Sequence, residues 1–451
     1  MKRWRAAFLV ALLAALSVLL SFSRSPSLLQ DSDTKGILTA IRQANDPLKW
    51  FRGDWPIANH FYRPISALTF EADNALWHDN AHGYAFTNAL LCFACVLLLF
   101  WLLREFTDRP WIAAAGAAVF ALWHLAPGFF ISSAIGVLAW VTLGVGVIRH
   151  GRNWRNYAPA FLTLLALSRE VLPMRELYGR MIDWIPGRTA STMTVFALLA
   201  MAAYARYERL RLVPAHAPIT PETPPATRST EAATQSGASE PWALLAIVAA
   251  ALALGSYEQA VMLPAVLLVV AFAFRIRGGR PTWTLHGVFW SLILGYLALR
   301  WQLLPHTASG YQAQQYSSTR TAFWMEMQYL FPPLEGLFGI PVTLSTGAIM
   351  LLTLEPYTPL FGTAISGTGY WQTRREPVLF LVGWLGAAVA YAPMAWFKLF
   401  EHYHYWPMAL RSAFTVAMGA VALRLAATAW CPPARSAPPR LHPAPGSLPR
   451  P

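Results

Sequence analysis

The sequence predicts an all-α, polytopic integral membrane protein with about 12 transmembrane helices. Of its 451 residues, 56% are hydrophobic and only 13% are charged, whereas about a quarter of the residues in an ordinary soluble protein are charged. Apolar runs such as 84–103 and 129–148 contain no charge and have the length that crosses a bilayer as a helix. A membrane β-barrel would instead show alternating polar and apolar residues.

The predicted spans lie near residues 6–22, 84–103, 111–127, 129–148, 157–172, 188–206, 241–256, 260–274, 284–301, 337–355, 377–397 and 406–428. The first follows a basic start and is expected to be an uncleaved span, with a cleaved signal peptide as the alternative. Runs 157–172 and 241–256 are short enough for a tilted or re-entrant path.

The basic residues are concentrated in the turns between these runs, which accounts for the net charge of +13. They are Arg149/Arg152/Arg155, Arg206/Arg209/Arg211, Arg275/Arg277/Arg280 and Arg374/Arg375, with Lys2, Arg3 and Arg5 before the first run. Alternating sides puts all of them and both termini in the cytoplasm, as the positive-inside rule requires. Membrane lipids are therefore the expected surroundings and nucleic acid is not an expected partner. Compact loops favour a bacterial inner (plasma) membrane.

Two membrane regions, 1–211 and 241–430, flank a segment 212–240 that is rich in Pro, Thr, Ala and Ser. This composition predicts a disordered cytoplasmic linker, and 431–451 a similar Pro-rich tail. The first region includes a large extracytoplasmic loop, 24–83, with predicted amphipathic helices at Thr34–Ala44 and Pro64–Trp77.

Several charged residues lie at the predicted outer ends of spans: Asp31, Asp33, Arg63, Asp73, Arg188, Glu258 and Glu401. A charge at membrane depth costs about 2.5–3.5 kcal/mol on insertion scales, so it lines a cavity or has a partner. Glu258 has no charged neighbour in sequence and is expected to pair with Arg188 or Arg63. Asp31 and Asp33 precede a predicted helix, where helix capping is an alternative role.

Four groups of motifs lie at these ends. The first comprises Tyr62-Arg63-Pro64, Asp73, Ala75-Leu76-Trp77, Gly83-Tyr84 and Thr87-Asn88, and leads into a Leu-rich run that ends near Arg104. The others are Trp184-Ile185-Pro186-Gly187-Arg188-Thr189, Ser256-Tyr257-Glu258-Gln259-Ala260-Val261 with Leu263-Pro264, and Glu401-His402-Tyr403-His404-Tyr405-Trp406-Pro407.

In this order the motifs resemble those of GT-C membrane glycosyltransferases. They are most similar to the protein O-mannosyltransferase-like branch, which includes the transmembrane-and-tetratricopeptide proteins, although no tetratricopeptide repeat is found here. The chain departs from that pattern. Tyr257 and His402 replace basic residues, Cys92 replaces a histidine, and the first-loop acids are separated as Asp31-x-Asp33. Two extra apolar runs also lie between His124 and Gly187.

The resemblance implies inverting transfer of a sugar from a polyprenyl-phosphate carrier to an acceptor on the outer face. Asp33 is then the expected general base, with Asp31 as its alternate or partner. Arg63 and Arg188 are the expected ligands of the carrier phosphate, and Asp73, Glu258 and Glu401 are positioning groups. No cofactor is expected, and the i, i+2 spacing of His402 and His404 does not favour a metal site. Metal dependence is left open, and the sugar and the acceptor are not identified.

Two other functions remain as alternatives. A transporter or flippase would carry charges near the bilayer middle and show two repeated halves, whereas the charges here gather at one face. A noncatalytic GT-C-like scaffold would explain the substituted motifs.

The predicted topology is tested by two reporter fusions. A reporter placed after Lys35 is expected outside, and one placed near Thr230 in the cytoplasm, because an odd number of predicted spans separates them. If both fusions report the same side, the span assignment is wrong.

Overall fold

The chain folds into helices. A computed structural model describes residues 2–21, 26–125, 128–151, 157–170, 179–212, 225–276, 282–316, 376–398 and 400–430. Within these ranges there is no β-strand, only an isolated antiparallel bridge between Tyr316 and Phe397. The predicted all-α class is therefore confirmed for the described residues.

The α-helices are α1 (Lys2–Leu20), α2 (Ser32–Ala44), α3 (Pro64–Trp77), α4 (Ala81–Thr107), α5 (Pro110–Trp123), α6 (Gly128–His150), α7 (Ala158–Glu170), α8 (Gly179–Ile182), α9 (Arg188–Leu212), α10 (Pro225–Leu254), α11 (Leu263–Ile276), α12 (Trp283–Leu303), α13 (Gly310–Gln315), α14 (Glu376–Phe380), α15 (Ala387–Tyr391) and α16 (Tyr405–Trp430). A π-helical segment, Leu381–Gly386, joins α14 to α15. Short 3-10 helices occur at Pro26–Gln30, Pro47–Phe51, Ile185–Gly187, Glu258–Met262, Met394–Trp396 and Glu401–His404.

Four helical segments among the described residues are long and apolar enough to cross a membrane. They are Ala81–Thr107, Phe130–Arg149, Glu258–Arg275 and Glu401–Leu423. Four further apolar helices are shorter: Trp4–Leu20, Pro110–Trp123, Ser239–Leu254 and Val378–Tyr391. By length and composition the chain is thus a membrane protein, but the prediction of about 12 spans is not confirmed.

The predicted apolar runs correspond well to helical segments, apart from 337–355, which lies outside the described residues. Within the predicted linker 212–240, residues 213–224 lie outside the described residues, whereas 225–240 are helical, because α10 begins at Pro225 and continues into the apolar run. Composition indicated disorder there because Pro, Thr and Ser have low helix propensity. The tail 431–451 also lies outside the described residues.

The core of the bundle is built on α4 and α9, which pack against each other, while α9 also packs against α10. Helix α1 packs against α4 and α5, and α16 packs against α5 and α7. These interfaces contain many small residues, among them Ala197, Ala200, Ala249 and Ala253, all buried. Small side chains let helix backbones approach closely, which is how helices associate in lipid.

The two helices predicted in the first loop are present. Helix α2 begins after Asp31, whose side chain accepts from the Thr34 amide at 3.1 Å, and ends at Asn45 in a left-handed conformation. Helix α3 has Pro64 at its first turn, where the missing N–H costs nothing. Ala67 and Phe70 on α3 pack with buried residues of α2 in one apolar cluster.

A buried arginine joins this loop to the bundle. Arg188, at the start of α9, has no exposed side-chain surface and lies 2.5 Å from the Asp73 carboxylate of α3. Its Nε donates to the Asn88 side-chain oxygen at 2.9 Å. The terminal nitrogens donate to the carbonyls of Thr69 at 3.2 Å and Tyr84 at 3.1 Å. One guanidinium therefore connects α3, α4 and α9.

The same network continues through α4. Thr87 donates to the second Asp73 oxygen at 2.7 Å and accepts from the Trp77 indole at 3.2 Å. The Trp77 ring lies so close to Gly83 that an added Cβ would be 2.3 Å from it. A glycine is therefore required at position 83 for α3 and α4 to approach as they do.

Removing the Arg188 guanidinium should destabilise the fold strongly. In Arg188→Met the Asp73 carboxylate stays buried without its cation, so the expected loss is about 3–5 kcal/mol, measured by unfolding in detergent. The control is Arg42→Met, which removes the exposed pair with Asp79 and the exposed hydrogen bonds to Asn74 and the His78 carbonyl, and should cost about 1 kcal/mol. Equal effects of the two substitutions would contradict the proposed importance of the buried pair.

Candidate functional site

A small polar pocket lies between the first loop and the bundle. It has a volume of about 50 Å³. Its lining residues come from α2, from the chain before α3 and from helix ends of the bundle: Asp33, Ile37, Trp55, Ile57, Asn59, Phe61, Arg63, Trp184, Pro186, Thr189, Tyr257, Tyr311, His402 and Tyr403. The tertiary fold thus brings two predicted site residues, Asp33 and Arg63, to one cavity.

The two first-loop aspartates have different roles. Asp31 is the N-cap of α2 and also accepts from the Thr34 hydroxyl at 3.2 Å. Asp33 lies in the first turn of α2, is half-buried and makes no hydrogen bond in the part of the chain that the structure describes. Burial raises the pKa of Asp33 above its ordinary value, and the negative charge of Asp31 raises it further. Asp33 is therefore the carboxylate suited to accept a proton.

Tyr311 on α13 is close enough to Asp33 to be affected by its charge. Burial raises the pKa of Tyr311, with a further upward contribution from Asp33 and an opposing one from Arg63. Its ring also meets the Phe61 ring edge to face, with the ring centroids 6.3 Å apart. The pocket therefore places a phenol and a carboxylate beside one cation.

Arg63 forms an ion pair with Glu258. Its Nε and one terminal nitrogen lie 2.8 Å and 2.7 Å from the same carboxylate oxygen of Glu258. The guanidinium carbon also lies over the rings of Phe61, at 4.0 Å, and Tyr257, at 4.5 Å. The expected pairing of Glu258 with an arginine is confirmed. Tyr257, which replaces a basic residue of the resembled motif, packs its ring against Arg63.

A much larger groove begins on the other side of Arg63. Its volume of about 680 Å³ lies in the range of ligand-binding cavities, whereas that of the polar pocket does not. The groove is lined mostly by apolar and aromatic residues, with a few polar ones: Phe61, Arg63, Tyr257, Glu258, Val261, Leu297, Arg300, Ala308, Tyr311, Gln312, Ala313, Gln315, Tyr316, Pro393, Met394, Phe397 and Tyr403. An amphiphilic ligand would match this lining.

Arg300, at the end of α12, is a second cation of the groove that the sequence reasoning missed. It donates to the His60 carbonyl at 3.4 Å and makes no ion pair with any described residue. It also lines an adjoining cavity of about 420 Å³. A signal was present in the sequence, because the predicted topology puts Arg300 at an outer helix end, against the positive-inside rule.

The chain around α13 is fastened over these cavities by the segment before α3. The Ser309 hydroxyl donates to the Asn59 carbonyl at 3.1 Å, and the side-chain amide of Gln312 donates to the His60 carbonyl at 3.0 Å. His60 and Ala58 adopt positive φ angles of 62° and 50°, which are uncommon for residues other than glycine. Such backbone is often found at functional sites.

Arg188 is not placed as predicted. Its guanidinium is fully buried, held by protein acceptors and absent from the lining of both cavities, so in this arrangement it faces neither of them. The predicted site residues Asp33, Arg63, Arg188 and Glu258 therefore do not all line one cavity. Arg63 lines both cavities, Asp33 only the polar pocket, and Glu258 only the groove.

The remaining predicted residues lie near the site without lining it. Asp73 is the partner of Arg188 and so positions α3. Glu401 begins a short 3-10 helix, Glu401–His404, and is half-buried. The next residues of that helix, His402 and Tyr403, line the polar pocket. Among the described residues, no group of three or more His, Cys, Asp and Glu side chains is arranged to hold a metal ion.

Comparison with known proteins adds no assignment: no protein-family model, curated protein or solved structure matches the chain.

Proposed function

We propose that this chain is a membrane glycosyltransferase that transfers a sugar from a polyprenyl-phosphate carrier to an acceptor hydroxyl. The observation that carries the proposal is the junction at Arg63 of a large apolar groove with a small pocket lined by the Asp33 carboxylate, which bonds no described residue. With the topology predicted from the sequence, this junction faces the outer side of a bacterial inner membrane.

The groove suits the carrier. Its apolar lining would hold the isoprenoid chain next to the bilayer, and the guanidiniums of Arg63 and Arg300 would meet the phosphate at the polar end. Arginine forms planar, charge-assisted hydrogen bonds to phosphate oxygens. Because Glu258 already neutralises Arg63, Arg300 supplies the net positive charge for the leaving phosphate.

The pocket suits the acceptor hydroxyl. Asp33 would remove its proton as the oxygen attacks the anomeric carbon of the sugar. The bond from that carbon to the phosphate oxygen breaks, and the electron pair leaves with the phosphate. The arginines stabilise the negative charge that develops on the phosphate. Attack from the face opposite the leaving group inverts the anomeric centre.

The test is an assay of the purified protein with a panel of polyprenyl-phosphate sugars and peptide, glycan and lipid acceptors, measuring release of carrier phosphate. Asp33→Asn should lower turnover about 10²–10⁴-fold, because the amide cannot accept the proton. Donor affinity should change little, because the lost interaction belongs to the transition state. Asp31 still caps α2 in this variant, so the helix should remain intact.

Two results would contradict the proposal. If no donor on the panel releases carrier phosphate, transfer from such carriers is not the function. If the unmutated protein transfers sugar and Asp33→Asn does so nearly as well, Asp33 is not the base.

The pH dependence of transfer provides a separate test. Only deprotonated Asp33 can act as base, so kcat/KM should rise with pH through the Asp33 pKa, which lies above that of an ordinary aspartate. Asp31→Asn should move this acidic limb to lower pH, because it removes one cause of the raised pKa, while asparagine preserves the helix cap. If Asp31→Asn does not shift the acidic limb of the pH profile, the titrating group is not beside Asp31.

A further inference from the structure

Two acceptor oxygens in the groove have no hydrogen-bond partner among the described residues. Both Arg63 contacts go to one oxygen of Glu258, and the other oxygen, Oε1, is buried and unbonded. The side-chain oxygen of Gln315, at the end of α13, is likewise buried and unbonded. Both residues line the same groove as Arg300.

Such atoms are uncommon in folded proteins, because buried polar groups are nearly always hydrogen-bonded. The side-chain oxygen of Gln315 is not needed to hold its segment in place. The Gln315 main chain is fixed independently, since its carbonyl accepts from the Lys398 amide at 2.8 Å and the next residue, Tyr316, bridges to Phe397. The backbone contacts therefore fix the position of Gln315, and its side-chain oxygen can accept a hydrogen bond from a ligand.

A ligand that binds these two oxygens must bring hydrogen-bond donors. An isoprenoid chain has no donors, and an ionised phosphodiester has acceptors only. Of the parts of a lipid-linked sugar, only the sugar supplies them, through its hydroxyl groups. An acceptor pair beside phosphate-binding arginines therefore matches the glycosyl group.

We propose that Oε1 of Glu258 and the side-chain oxygen of Gln315 form a sugar-binding subsite that accepts hydrogen bonds from hydroxyl groups of the donor glycosyl unit. This assignment rests on the proposed function and extends it to the selection of the sugar. A site built to bond a hydroxyl group discriminates strongly against an analogue that lacks it, because the buried acceptors are then left unpaired.

The probes are hexyl mannoside, hexyl glucoside and hexyl phosphate, with binding to the full chain in lipid nanodiscs measured by calorimetry. Gln315→Met should weaken binding of at least one hexyl glycoside about tenfold, the loss expected for one hydrogen bond. The affinity of the Gln315→Met variant for hexyl phosphate should equal that of the unmutated protein. Arg300→Gln should show the opposite pattern, with hexyl phosphate weakened and the glycoside largely retained.

The matched control is Gln314→Met, the same substitution on the neighbouring residue of α13, which is exposed and does not line the groove. It should leave binding of all three probes unchanged. A measurement on the unmutated protein provides a second test: a hexyl ether of tetrahydropyran, which lacks the sugar hydroxyls, should bind at least about tenfold more weakly than the glycoside.

The subsite is refuted if no hexyl glycoside binds, if Gln315→Met and Gln314→Met behave alike, or if the hydroxyl-free ether binds as well as the glycoside. These results are distinct from failure of the proposed function. If the protein turns over a carrier but Gln315→Met does not weaken glycoside binding, the proposed transferase function stands and the subsite is refuted. If Gln315→Met loses glycoside binding but the unmutated protein turns over no donor, the subsite stands and the proposed transferase function is refuted.

Discussion

The burial of the Arg188 guanidinium is the constraint on which the arrangement of the first loop depends. A cation without solvent must have both a counter-charge and acceptors for its N–H groups. Asp73 on α3 and Asn88 on α4 meet that need, together with backbone carbonyls of the same two helices. Because the donors of a guanidinium are fixed in one plane, satisfying them also fixes α3 and α4 relative to α9. The polar pocket lies beside this junction.

The residues behind the family resemblance have two different uses in this chain. Asp73, Trp77, Gly83, Thr87, Asn88 and Arg188 form one packed network that fastens the loop to the bundle. Arg63 and the segment Tyr257–Glu258 instead line the cavities. The motifs therefore combine a set that packs the loop against the bundle with a set that lines the two cavities.

Arg63 lies where the two cavities meet, and its environment differs on each side. On one side is the half-buried Asp33, on the other are Glu258 and an apolar groove, and Tyr311 lines both cavities. The ion pair with Glu258 holds the guanidinium in place, and the rings of Phe61 and Tyr257 cover its faces. Arg300 approaches the groove from α12 without an ion-pair partner among the described residues. The site thus contains one fixed cation, Arg63, whose charge is neutralised by Glu258, and a second cation, Arg300, that has no ion-pair partner among the described residues.

The sequence by itself determined the helical class, the positions of most apolar helices and the two helices of the first loop, because these depend on local periodicity, capping and the length of apolar runs. It also gave Asp33, Arg63, Arg188 and Glu258 as candidate site residues, of which Arg188 lines neither cavity. The tertiary structure decided which aspartate caps α2, that Arg188 is buried among protein acceptors, and that Arg300 and Gln315 face the groove. Those outcomes depend on contacts between residues far apart in the chain, and no local pattern specifies which buried charges become partners. The helix starting at Pro225 was missed for a related reason, since composition alone indicated disorder in a segment that is continuous with an apolar helix.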